Sequence, residues 1–260
     1  MRRAALAMLA VMLCAGAAAA DTAAAPTPLQ LYQVGKYAEA IQQGTASNAA
    51  SGYAVAARAE LAVAMMRDKP CLECLKTAEG YARKAVTLDP TLADGHVYLA
   101  AALGYESRII GIVAAKFKGY AGEAKDNLEV ALAHHPDDPW VLAALGGWNF
   151  AVVDGGGATM ADWMYGATVK QGQDYYAKAF AADPAGIVIR YLYALSLSAH
   201  DREANSKQIE AALRFAATGK PRTAYEESMQ GRAKTLLDSF KSGDWTAYDA
   251  LVRRYQGYPQ

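Results

Sequence analysis

Three segments of this chain end in the same way. YARKAVTLDP (81–90), NLEVALAHHP (127–136) and YYAKAFAADP (175–184) each place an alanine five residues before a proline. Extended backwards, Ala78–Ala82–Ala85–Pro90, Ala124–Leu128–Ala131–Pro136 and Gly172–Tyr176–Ala179–Pro184 share one spacing. On a helix, positions three and four apart lie on one face, and small residues there leave room for a neighbouring helix. The residue before a proline avoids the helical region, so each helix is expected to stop just ahead of it. After each proline a second helical pattern begins: LADGHVYLAAAL, PWVLAALGGWNF and GIVIRYLYALSL. One hairpin of helices cannot bury its own apolar face, so a chain that repeats the hairpin is expected to stack its copies into a curved array.

Composition points the same way. Alanine, the strongest helix former, is the commonest of the 53% of hydrophobic residues, and β-branched runs are few. We therefore expect an all-α, right-handed superhelical solenoid of about five to six antiparallel helix pairs, without strands, over residues 28–256. TPLQLYQVGKYAEAIQQG supplies the opening pair, and Ser51 is a candidate cap for the helix that follows. At the other end a helix is expected to Thr218, then a last pair with Ser242 and Asp244 as candidate caps before Trp245.

The pattern resembles the tetratricopeptide repeat, a helix–turn–helix unit of about 34 residues. Leu142, Leu145, Gly146 and Asn149 stand in the first signature positions of one unit, and His96, Leu99, Ala100 and Leu103 in those of another. Gly172, Tyr176 and Pro184 occupy the later ones. The period departs from the family, since Pro90 to Pro136 and Pro136 to Pro184 span 46 and 48 residues. GYESRIIGIVAAKFKGY and VVDGGGATMADWMYGA absorb the excess, the first as a lengthened helix with an added turn, the second as a glycine loop before an amphipathic segment. The resemblance implies that the first helix of each pair lines a concave groove. It selects Asp94, Val97, Ala101 and Tyr105, then Trp140, Ala143, Gly147 and Phe150, then Val188, Tyr191 and Leu195 as groove residues, with Asn149 and Arg190 flanking them. Trp, Tyr and Arg dominate binding hot spots.

The start of the chain reads as a targeting segment. MRRAALAMLAVMLCAGAAAA has a basic beginning, an apolar middle and small residues at 18 and 20, the layout of a secretory signal peptide spanning 1–20. Residues 21–27 would be a disordered linker and 257–260 a tail, and the mature chain would be periplasmic or secreted. Without Arg2 and Arg3 the basic count falls from 26 to 24 against 26 acidic residues, a net charge of −2. That balance gives no electrostatic footprint for nucleic acid or for an anionic membrane surface. After Asp21 no apolar run is long enough to span a membrane. Cys71 and Cys74 remain after cleavage, and in an oxidising compartment they are expected to form a local disulfide that staples the turn between two helices. A Cys-x-x-Cys at a helix start is also the spacing of thiol–disulfide enzymes, but those need a βαβ context that this chain lacks.

Other chemistry is sparse. Gly155–Gly157 lacks the lysine and strand of a phosphate loop, and reads as an inter-helix loop able to gate the groove. His134 and His135 point to different faces of a helix end, and no four-ligand zinc set or catalytic triad motif is visible. No catalysis, cofactor or metal is expected. The expected function is capture of a peptide or protein partner in the concave groove. The alternative is a small-molecule-binding periplasmic component of an organic-acid transport system, with its pocket near Arg108 and Gly155.

Overall fold

The computed structural model describes residues 25–259 apart from residue 68, so the expected signal segment lies outside the described residues. Fourteen helices and no strand occur among them. In chain order they are α1 (Pro28–Gln33), α2 (Tyr37–Ala46), α3 (Ala50–Met66), α4 (Leu72–Leu88), α5 (Ala93–Ile110), α6 (Ile112–Phe117) and α7 (Tyr120–His134). They continue as α8 (Pro139–Gly156), α9 (Ala158–Tyr165), α10 (Val169–Ala182), α11 (Ile187–Asp201), α12 (Ser206–Thr218), α13 (Ala224–Ser242) and α14 (Trp245–Tyr255). Sequential helices pack in adjacent pairs, the arrangement of a helical solenoid. Among the described residues no helix is long and apolar enough to cross a membrane.

The repeated endings do what their spacing requires. Helices α4, α7 and α10 each stop two residues before their proline. Ala78, Ala82, Ala85, Ala131 and Ala179 are completely buried, each the notch into which the next helix presses. Glycine extends the device at two crossings. A Cβ on Gly146 would lie 2.7 Å from the Tyr176 ring, and one on Gly172 would lie 3.0 Å from Phe150, so α8 and α10 approach closely only because both side chains are absent. Gly44 and Gly52 play the same part between α2 and α3.

Side-chain caps fix the helix starts. Thr27 and Gln30 form a reciprocal capping box on α1. Asp138, Thr168, Thr223 and Asp244 accept backbone N–H groups at the starts of α8, α10, α13 and α14. Ser51 is not a cap but lies inside the first turn of α3, because Ser47 accepts the Ala49 N–H at 3.3 Å and starts the helix earlier. A disulfide joins Cys71 and Cys74, and the Cys71 sulfur accepts the Cys74 N–H at the α4 N-terminus. The staple thus closes the first turn of one helix.

Two segments differ from the sequence expectations. The insertion after Tyr105 does not simply lengthen a helix: α5 ends at Gly111, whose φ of +84° breaks it, and α6 is a separate short helix. Gly155 and Gly156 are not loop but the last turn of α8, and Gly157 alone, at φ +81°, makes the corner into α9. The end of the described chain is held by short contacts. Gly257 and Tyr258 donate their N–H groups to Arg254 and Arg253, and Gly257 packs on Met65 and Tyr105.

That last contact reflects the main departure from an open stack. Helix α13 returns to the first pair, with Ala224 against Gly35 and Tyr225 in the cluster of Leu31, Tyr32 and Ala40. Arg108 on α5 donates to the Gln256 carbonyl at 2.6 Å, across 148 residues of sequence. The two large cores, one N-terminal and one C-terminal, share Leu132, Trp140 and Tyr175 around α8. The inner side of the array is therefore bounded at both ends.

Candidate functional site

A cavity of about 440 Å³ occupies this inner side. Its walls come from α3, α5, α8 and α11, with α13, α14 and the C-terminal residues closing one side and α6 and α9 bordering another. The sequence makes the space by placing small residues on the inner faces. Ala101, Gly104, Ala144 and Gly147 line it where larger side chains would fill it, and a Cβ on Gly104 would meet nothing within 4 Å. Met65, Leu61, Val97, Trp148 and a set of tyrosines make the rest predominantly apolar. Ligand sites of this size and character recur across proteins.

The charges on the wall have one sign. Arg58, Arg108 and Lys116 line the cavity, and no carboxylate does among the described residues. Arg58 lies on α3, where its guanidinium sits 4.4 Å from the Tyr32 ring centroid and 5.8 Å from that of Trp140. Burial opposes its charge, but Tyr98, Tyr32 and Asp94 more than offset that and hold it firmly protonated. Asp94 does not itself line the cavity. Burial raises its carboxyl above the usual carboxylate range, with Arg58 acting in the opposite direction. Arg108 stacks on Tyr105 and Tyr258, its guanidinium 4.9 and 5.9 Å from the two ring centroids.

Of the residues expected to face a groove, Tyr105 and Trp140 line the cavity together with Val97, Ala101, Ala143, Gly147, Val188 and Leu195, and Asp94 lies behind Arg58. Asn149, Phe150 and Tyr191 are instead interior, each 1% exposed. The Asn149 amide donates to the Leu145 carbonyl at 2.9 Å and accepts the Thr168 N–H at 3.1 Å, which ties α8 to the start of α10. Phe150 packs against Tyr176 and His200, and Tyr191 sits in the C-terminal core. Arg190 stacks between Phe180 and Phe215, 3.8 and 4.5 Å from their centroids, away from the cavity. A one-residue error in helix phase turns a side chain through about 100°, enough to move a supposed groove residue into the core. Gly104 and Arg58 are the residues that sequence reasoning missed. The available signals were a glycine in the middle of a helix and an arginine within an alanine run.

Behind the wall lies an unusual acid. Glu106 on α5 is 1% exposed and accepts the Tyr120 hydroxyl at 3.0 Å. Burial, then the neighbouring Glu79 carboxylate, push its pKa up to about 7. The folded chain keeps this proton at pH values where the unfolded chain, with an ordinary 4.5, has released it, so stability falls as pH rises between the two. Glu106→Gln should remove that fall. In urea unfolding the variant should exceed the native chain by about 2 kcal/mol near pH ~8 and hardly differ near pH ~4. A difference independent of pH would mean that Glu106 does not hold the proton.

The family model of Regulator of microtubule dynamics protein 1-3 matches residues 31–241, nearly the whole helical array. No curated protein matches the chain. No tetratricopeptide family matches either, which corrects the resemblance drawn from the repeats. The correction has a physical reason. Small residues at four- and three-residue spacing before a proline are what any tightly packed helix hairpin needs, whereas the first signature positions were degenerate and the period too long. The matched span takes in every helix that walls the cavity except α14, and by that match the chain belongs to the Regulator of microtubule dynamics protein 1-3 family.

Proposed function

We propose that this protein is an exported binding protein, without catalysis of its own, that carries a small apolar molecule bearing an anionic head. The observation that supports this reading is the cavity of about 440 Å³ with apolar walls and only cationic charges, Arg58, Arg108 and Lys116. An apolar tail gains by leaving water at about 25 cal/mol per Å². A carboxylate or phosphate head is costly to bury unless a cation meets it, and arginine held between aromatic rings is prepaid in orientation for that task. A small ligand fits better than a peptide, because the return of α13 and α14 bounds the inner side that an extended peptide would have to traverse. Export rests on the layout of residues 1–20.

The test is binding of a fluorescent long-chain carboxylate to the purified chain, with the matching long-chain alcohol as competitor. Arg58→Gln should weaken the carboxylate by roughly ten- to a hundredfold, the range of a charged hydrogen bond, and leave the alcohol nearly unchanged. Equal losses for both ligands would remove the anionic head from the proposal. No binding of either would remove the carrier.

A further inference from the structure

The two short helices that border the cavity also carry the most exposed apolar side chains of the molecule. Helix α6 buries only Ala115 and α9 only Ala161. Ile112, Ala115 and Lys116 face the cavity, while Val113 and Phe117 share the opposite face of α6 at i, i+4 spacing. On α9, Met160 and Met164 are partly exposed at the cavity rim, and Trp163 stands beside them outside the cavity lining. Phe117 is 89% exposed and Trp163 81%. Isolated exposed apolar residues are ordinary, but a cluster that protrudes is not. The two helices sit over one edge of the fold. Ile112 lies against Gly155 at the end of α8, and Tyr165 lies near Gly122 at the start of α7 and edge-on to Trp148. Glycines at positive φ flank both, Gly111 and Gly119 for α6 and Gly157 and Gly166 for α9.

We propose that this lip docks on an anionic lipid surface and places the cavity mouth at the bilayer interface. Three features favour that occupant. Phe117 and Trp163 project outwards, as side chains that dip into a headgroup layer do, and tryptophan partitions to that depth. Lys116, at the cavity rim, and Lys118 bracket Phe117, against the single carboxylate of Asp162 on these two helices. The charge is complementary to acidic headgroups and would oppose itself across a twofold axis of two copies. Five apolar side chains also fall well short of the ~1,200 Å² that a specific protein interface buries. The inference goes beyond the carrier proposal and rests on Val113, Phe117, Lys118 and Trp163, which lie outside the cavity lining, with Lys116, Met160 and Met164 at its rim.

The test uses the full chain with vesicles of phosphatidylcholine, with and without phosphatidylglycerol, whose acyl chains are brominated. Bromine should quench a component of tryptophan emission that is missing in Trp163→Phe. In sedimentation with the vesicles, Phe117→Ser and Trp163→Ser should each reduce partitioning about tenfold. Lys118→Ala, outside the cavity lining, should cost roughly fivefold on anionic vesicles and little on neutral ones. These side chains are exposed, so the variants should melt as the native chain does. Equal quenching in the native chain and Trp163→Phe would overturn the proposal, because the signal is local to the lip and indifferent to any other anchor. A dimer in analytical ultracentrifugation that the serine variants dissociate would overturn it as well, by assigning the lip to a second copy.

Discussion

A Gly104→Phe variant should keep its fold and lose its ligand. Position 104 lies in the middle of α5 on the cavity wall, and a Cβ there would meet nothing within 4 Å. The benzyl group therefore enters empty space and not a packed core, so the usual cost of overpacking does not arise. Phenylalanine is also the better helix former, by a few tenths of a kcal/mol. The ring would occupy a sizeable part of a cavity of about 440 Å³ and the long-chain carboxylate probe would have to give way. Affinity should fall by more than about a hundredfold, a loss of ~3 kcal/mol or more, while the melting temperature stays level or rises. Unchanged affinity in a folded variant would mean that the ligand binds elsewhere.

Gly52→Ala should have the opposite outcome, a large loss of stability with no direct effect on the cavity. Gly52 lies in α3 where α2 crosses it. An added Cβ would collide with the Gly44 carbonyl and with the Ser47 hydroxyl, and a Cβ on Gly44 would come within 2.5 Å of the Gly52 carbonyl. Backbone cannot swing aside as a flexible side chain can, so the two helices must separate and open the cluster around Leu31, Tyr32, Ala40 and Ala59. Overpacking of this kind costs about 1–3 kcal/mol and occasionally more, and the helix propensity of alanine returns at most ~1 kcal/mol of it. We expect a net loss of about 2 kcal/mol, seen as a drop in melting temperature of roughly 4–8 °C for a chain of this size. Gly80→Ala is the matched comparison. It lies in α4 with nothing within 4 Å of its added Cβ, and should raise stability by up to ~1 kcal/mol. Parallel behaviour of the two variants would show that the crossing is looser than the coordinates place it.

The array was legible in the sequence because its cause is local. Proline at 90, 136 and 184 stops three helices wherever the rest of the chain lies, and alanine at 85, 131 and 179 leaves room for a neighbour to press close. Helix starts were legible for the same reason at Asp244, whose carboxylate accepts the Ala247 N–H at 3.0 Å. The site was less legible because it depends on contacts between distant residues. Nothing near Arg108 in sequence says that Gln256 will meet it, and the closing of the inner side follows from that contact and its companions. Residue type misled at Asn149: an amide serves equally well as a ligand contact or as an internal tie, and only the Leu145 carbonyl and the Thr168 N–H decide. The family likewise lay beyond the repeats, since hairpin packing rewards one spacing whatever the ancestry of the chain.

The meeting of α13 with Gly35 and the first cluster changes what an insertion would do. In an open row of hairpins an extra unit makes a longer row and leaves each neighbourhood as it was. Here the row bends round until its beginning and end touch, as in a hoop. A unit added to a hoop widens its bore and parts the seam, so the number of hairpins sets the calibre of what the interior can hold.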